Sequence, residues 1–170
     1  MEALAADALR LVRENGDIAV PLTFLFAFCE SVALFSFLVP ATVILVGLGG
    51  LVGAGALEFV PLWIAAALGA IVGDALSYWL GWRFKGRIVG LWPLSRRPEL
   101  LPKAEDFFRR WGILGVFVGR FIGPMRATVP LAAGLTAMPL LRFKLATVAS
   151  AFVWSGVMLA PGTLGAALLA

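Results

Sequence analysis

Four charged side chains stand deep inside apolar sequence: Glu30, Asp74, Arg120 and Arg126. Each ionised group at a bilayer centre costs about 2.5–3.5 kcal/mol on insertion scales. Four such groups must be paired or put to use. One reading makes them two structural ion pairs that stitch helices together; the other makes them part of a substrate or proton path. The arginines are the sharper clue. Residues six apart on an unbroken helix point about 120° away from each other. Gly123-Pro124 interrupts that helix, since proline lacks the amide hydrogen and clashes with the preceding turn. Both guanidiniums can then converge on one site beside a helix start, a receptor for phosphate or carboxylate. Thr128 offers a further donor. Glu30, a carboxylate in apolar surroundings, suits uptake and release of a proton near physiological pH. Asp74 stands one turn before Tyr78, which can hydrogen-bond it, so structural and functional roles are both open.

The chain has no histidine. That removes histidine-dependent membrane phosphatases, serine–histidine hydrolases and zinc sites of the HExxH type. No P-loop is present to hydrolyse ATP, and no closely spaced acidic pair occupies an apolar segment. The expectation is a protein that binds and moves charge, not an enzyme, with no cofactor and no metal. The single cysteine, Cys29, excludes an intramolecular disulfide and reads as a small apolar residue.

The elements that must hold these charges follow from composition. Of 170 residues, 61% are apolar and 14% charged, against roughly 25% charged in a soluble domain. Ile18 to Leu57 contains one charge, Glu30; Val60 to Trp82 contains one, Asp74; Leu145 to Ala170 contains none. Each block reaches the roughly 20 residues of a transmembrane helix. The fold class is therefore all-α integral membrane protein.

Residues 1–17 read as an amphipathic interfacial helix, with Leu4, Ala8, Leu11 and Val12 on one face and charges elsewhere, and not as a cleavable leader. Segment 18–57 is broken at Pro40 into two spans or a hairpin. Its Gly47, Gly49, Gly50, Gly53 and Gly55 suit close packing. Segment 60–82 is the cleanest span. Gly69, Gly73, Ser77 and Gly81 form a small-residue ridge on it, while Trp79 and Trp82, with Trp92 beyond, look like interfacial anchors. Residues 83–111 are basic: from Arg83 to Arg110, eight Lys/Arg face three acids. Such a loop belongs on the cytoplasmic side, against anionic headgroups and not nucleic acid. Pro102 to Trp111 forms a second amphipathic helix with Phe107, Phe108 and Trp111 toward the lipid. Segment 112–141 is broken again, around Pro124, Pro130 and Pro139. The last span, 145–170, ends or kinks at Pro161-Gly162. The order is broken segment, span, basic loop, broken segment, span. It suggests an inverted repeat, with Val39-Pro40 and Val129-Pro130 as a faint echo.

The sequence resembles the DedA family, also called SNARE-associated or VTT-domain membrane proteins. The resemblance is carried by FFRRWGILGVFVGRFIGPMRATVPLAAGLTAMPLLRF from Phe107 to Phe143, by GAIVGDALSYWLGWRFKGR from Gly69 to Arg87, and by Glu30 followed by Pro40. It implies two opposed re-entrant hairpins in the inner membrane. It also implies a flippase or scramblase for glycerophospholipid or undecaprenyl phosphate, linked to protons. By position Glu30 is the family's membrane-embedded acid, and Arg120 and Arg126 are its functional arginines. Proton-coupled members often carry a second acid two residues after the hairpin proline, where this chain has Thr42. The expected partners are membrane lipids and protons, with homo-oligomer formation open. The rival readings are a proton-coupled small-solute or cation antiporter, using Glu30 and Asp74, and an envelope scaffold that transports nothing.

Overall fold

The computed structural model describes residue 12 and residues 16–32, 41–85, 100–122 and 125–169. Among these residues all regular structure is helical. A 3-10 turn, Gly16–Ile18, leads into α1 (Ala19–Ser31). Then come α2 (Ala41–Gly53), α3 (Phe59–Arg83), α4 (Leu100–Gly119), α5 (Met125–Leu135) and α6 (Leu140–Leu169). The expected interfacial helix over 1–17 falls mostly outside the described residues. So do Pro40, Trp92, residues 86–99 of the basic loop, Gly123 and Pro124.

Among the described residues, Phe59–Arg83 and Leu140–Gly165 are long and apolar enough to cross a bilayer. At 1.5 Å per residue, a helix of 25 residues such as α3 extends about 37 Å. The 13 residues of α1 or α2 cover about 20 Å and the 11 of α5 about 16 Å, short of a hydrocarbon core of roughly 30 Å.

Two prolines expected to break helices lie inside them. Pro130 sits within α5 and Pro161 within α6, which continues to Leu169. A proline costs a helix one amide hydrogen. In a membrane protein, packing from neighbouring helices makes that tolerable. α4 does change direction where the amphipathic stretch ends, at Gly112, whose φ of 49° and ψ of −123° interrupt the helix. Before that point Trp111 is exposed as expected. Phe108 is not: it is buried against Tyr78, Met138 and Phe143. Trp79 and Trp82 are both exposed on α3.

Helices in lipid gain little from the hydrophobic effect and associate by close backbone approach at small residues. The α3 ridge does this on two neighbours. Gly69 abuts the backbone of Phe24, Gly73 that of Phe28, and the Ser77 hydroxyl donates to the Ser31 carbonyl at 3.2 Å. α1 therefore runs alongside α3 in the same direction. Five residues separate the end of α2 from the start of α3, so α2 must come back toward the Phe59 end. Further along the ridge, Gly81 abuts Leu131, Gly134 and Leu135 of α5.

A second set of contacts matches this one. Gly162 of α6 abuts Val46, Gly49 and Gly50 of α2, which stand 85 residues before Leu131, Gly134 and Leu135. Gly49 in turn abuts Leu159, and Gly134 abuts Tyr78; those partners are 81 residues apart, as are Gly81 and Gly162. α1 packs on α3 and α4 on α6, whereas α2 crosses to α6 and α5 to α3, with α3 and α6 in contact between them. The spacing of these contacts is 85 residues for the second helix of each pair. Of the echo between Val39-Pro40 and Val129-Pro130, the first member lies outside the described residues.

A side chain at either crossing would meet main-chain atoms that cannot swing away. Gly81→Val and Gly162→Val are expected to destabilise the chain by about 3 kcal/mol each. Gly50→Ala, where an added Cβ meets nothing within 4 Å, should leave stability unchanged or slightly raised. Thermal unfolding in detergent, followed by circular dichroism, separates the three.

Candidate functional site

The four charges isolated in apolar sequence come together, three of them at or beside helix ends. Glu30 is in the last turn of α1, Arg120 directly follows α4, Arg126 is in the first turn of α5, and Asp74 lies just beyond the middle of α3. Glu30, Asp74 and Arg120 are each 5% exposed or less. Arg120 donates through Nη2 to Asp74 Oδ2 and through Nε to Ser150 Oγ at 3.1 Å. Arg126 donates through Nη1 to Glu30 Oε1 at 2.5 Å. The Thr42 hydroxyl, at the start of α2, donates to that same oxygen at 2.6 Å. Both guanidiniums lie over the indole of Trp154 on α6, Arg126 at 4.3 Å from the ring centroid and Arg120 at 5.8 Å.

Two acids and two bases make the cluster neutral as a whole. Neutrality matters because ions taken out of water lose solvation that only close, well-aligned partners replace. The two pairs are not equivalent. Arg120 is held by Asp74 and Ser150 together. Arg126 uses one terminal nitrogen on one carboxylate oxygen, and its Nη2 and Glu30 Oε2 are buried with no hydrogen-bond partner among the described residues. Thr42 beside this second pair is exposed, while the Glu30 and Arg126 side chains keep 7% and 10% of their exposure. The side-chain hydroxyls of Ser31 and Thr147 are likewise buried without a partner.

The arginines thus converge as their spacing suggests, each already neutralised by a carboxylate. Of the other residues singled out from sequence, Thr42 joins the cluster and Tyr78 does not. The Tyr78 hydroxyl donates at 2.6 Å to the Met138 carbonyl, and the ring stacks on Phe143 with centroids 4.4 Å apart. The reason is competition: Asp74 is taken by Arg120, while the turn before α6 presents a carbonyl. Thr128 is exposed on α5. Pro130 is buried inside α5, four residues after Arg126, where its missing amide hydrogen withholds the usual helix partner from the Arg126 carbonyl. Pro40, Gly123 and Pro124 lie outside the described residues. Ser150 and Trp154 were not singled out from sequence. The available signal was a serine and a tryptophan one turn apart in the interior of an uncharged span, away from the interface where tryptophan is usual.

The helices, their apolar lengths and the buried charges define an α-helical membrane protein with a neutral ionic centre. The sequence model of the VTT domain matches residues 39–164, and the chain belongs to the VTT-domain, or DedA, family. It is 37% identical over 145 residues to the inner membrane protein YabI of Escherichia coli, covering 85% of this chain and 57% of YabI. It is 32% identical over 152 residues to an uncharacterized membrane protein of Buchnera aphidicola from Schizaphis graminum, covering 89% and 60%. An uncharacterized membrane protein of Mycobacterium tuberculosis is 38% identical over 96 residues, covering 54% and 44%. The chain spans a little over half the length of the first two relatives. No solved structure matches it significantly.

Removing one member of a buried pair strands the other charge, at a cost of about 3–5 kcal/mol, whereas removing both costs far less. Asp74→Ala and Arg120→Leu are each expected to destabilise by that amount, and the double variant by less than either alone. Chemical unfolding in mixed micelles measures the three; strictly additive losses would contradict an ionic origin.

Proposed function

We propose that the chain is a multi-pass inner-membrane transporter that moves a phosphate-bearing anionic lipid across the bilayer. Undecaprenyl phosphate and glycerophospholipid are the two substrate classes. In this reading the α1–α2 and α4–α5 pairs are re-entrant hairpins entering from opposite faces and related by an inverted repeat. The short α1, α2 and α5, the return of α2 toward the start of α3, and the matched glycine contacts of Gly81 and Gly162 support it. The loop over 83–111 is then cytoplasmic, by the placement of its basic residues.

The observation that carries the function is the half-made fork of Arg126. A guanidinium matches phosphate geometry with two parallel N–H donors, and here Glu30 engages one donor and leaves Nη2 idle. A lipid phosphate arriving beside Thr42 competes with Glu30 for that fork. Protonation of Glu30 removes the competing charge, so proton uptake and phosphate binding favour each other. Arg120, held by Asp74 and Ser150, adds positive charge nearby without having to let go. The glutamate is the proton-linked group, the arginines are the phosphate receptor, and the process is transport, not catalysis. Membrane lipids and protons are the partners.

A second reading is favoured by the closure of both pairs: ion pairs that only join helices. It predicts that inverting Glu30 and Arg126 together restores function, which a phosphate receptor would not survive. The test is headgroup translocation in liposomes, with fluorescent phospholipid and polyprenyl phosphate in parallel, with and without a pH gradient. Arg126→Ala is expected to reduce movement at least about a hundredfold, the loss of one strong charge-assisted contact, while the protein stays inserted and folded. Glu30→Gln should flatten the pH dependence of the rate. Normal movement in Arg126→Ala, or no movement of either lipid by the wild type, would sink the proposal.

A further inference from the structure

Trp154 is 2% exposed in the middle of α6, with both guanidiniums over its ring. Indole is the strongest aromatic partner for a cation, and the contact gains strength when both groups are withdrawn from water. A guanidinium carries its N–H donors around its edge and none on its faces. Arg126 bonds Glu30 through Nη1 while its Cζ lies over the Trp154 ring, so the two contacts draw on different parts of the group. An edge partner can leave while the face contact persists.

We propose that Trp154 is a positioning residue: it holds the Arg126 guanidinium by its face while the edge changes partner from the Glu30 carboxylate to the phosphate monoester of a lipid. This rests on the phosphate-lipid reading above. Without the platform, an arginine released by Glu30 would be an unpaired cation on a long side chain. It would have to be ordered afresh for each incoming headgroup, at the entropic cost of a rotamer-rich residue. With the platform, the half-open fork keeps its orientation through the exchange. Nη2 and Glu30 Oε2, both buried and without a partner among the described residues, mark the side on which the new partner is received. Arg120, farther from the ring and bonded on two sides, depends on Trp154 less.

The test uses the full chain in phosphatidylcholine vesicles containing a graded minor fraction of phosphatidic acid, with headgroup translocation as the readout. Trp154→Leu is expected to raise the half-saturating phosphatidic acid fraction about tenfold, with little change in maximal rate. Trp154→Phe, which keeps an aromatic face, should recover most of that loss. Equal behaviour of the two variants overturns the proposal. A spectroscopic arm needs no transport and no leucine variant. The Trp154 emission is isolated as the difference between wild type and Trp154→Phe, then compared with the same difference in an Arg126→Gln background. A shift on removing the guanidinium supports the stack, and an emission indifferent to Arg126→Gln overturns it even where Trp154→Leu fails to fold. Arg126-dependent emission in a wild type that moves no phosphatidic acid supports the platform while striking the transport reading.

Discussion

Arg120 and Asp74 meet where their side chains keep only about a twentieth of their exposure, and neither ion is tolerable there alone. That pairing constrains the chain on every side. The end of α4 has to reach the middle of α3, and α6 must supply Ser150 at the same level. A basic loop and a kink at Gly112 lie between α3 and the apolar part of α4, which then descends along α6. Glu30 and Arg126 impose the same demand from the other direction, bringing the end of α1 to the start of α5. The interrupted helices and the buried charges are one feature seen twice: the breaks let helix ends reach the charges, and the charges hold the ends together.

Close approach of backbones makes room for this convergence. With lipid outside, apolar side chains gain little by leaving it for a protein interior, so packing rests on contact geometry. Gly69 and Gly73 let α1 lie against α3; Gly81 and Gly134 bring α5 to α3; Gly49 and Gly162 bring α2 to α6. The Gly73 contact, against Phe28 and Ser31, adjoins Asp74 and Glu30 in the chain and so brings those two acids to one level. Trp63, donating to the Phe152 carbonyl at 2.9 Å and edge-on to the Phe152 ring, ties α3 to α6 at a separate level. A scaffold fixed at several such points can keep two ion pairs aligned without those pairs supplying all of its stability.

Much of this was legible in the sequence. Long apolar blocks identified α3 and α6, the four-residue recurrence of small residues gave the α3 ridge, and charges isolated in apolar sequence picked out all four members of the cluster. Their pairing was not legible. Acid and base partners lie 46 and 96 residues apart, and nothing local says which acid meets which arginine. Local rules also misled in identifiable ways. Tyr78 has the right spacing to bond Asp74, but a carbonyl from a distant turn competes for it. Pro130 looks like a break, yet a helix that packs well on its neighbours absorbs the missing amide, and Pro161, read as an end or a kink, does not end α6. Phe108 belongs to an amphipathic stretch whose buried face cannot be told from its lipid face when both are apolar. Trp154 carries no charge and no motif, and only the fold places it beneath the arginines.

The two ion pairs of the cluster are bonded to different degrees. A purely structural site would be expected to satisfy its buried donors and acceptors, since an orphaned polar atom in a dry interior costs free energy with no return. The Asp74–Arg120 side comes close to that standard, with a serine completing the arginine. The Glu30–Arg126 side departs from it: two donors crowd one carboxylate oxygen while the other oxygen and a guanidinium nitrogen go unused. The departure falls on the pair bonded to the exposed Thr42. Under the proposed function, the neutral and incompletely bonded pair is the one suited to trade partners, whereas Arg120 is held by both Asp74 and Ser150. The two ion pairs therefore differ in how completely they are bonded, although both are buried.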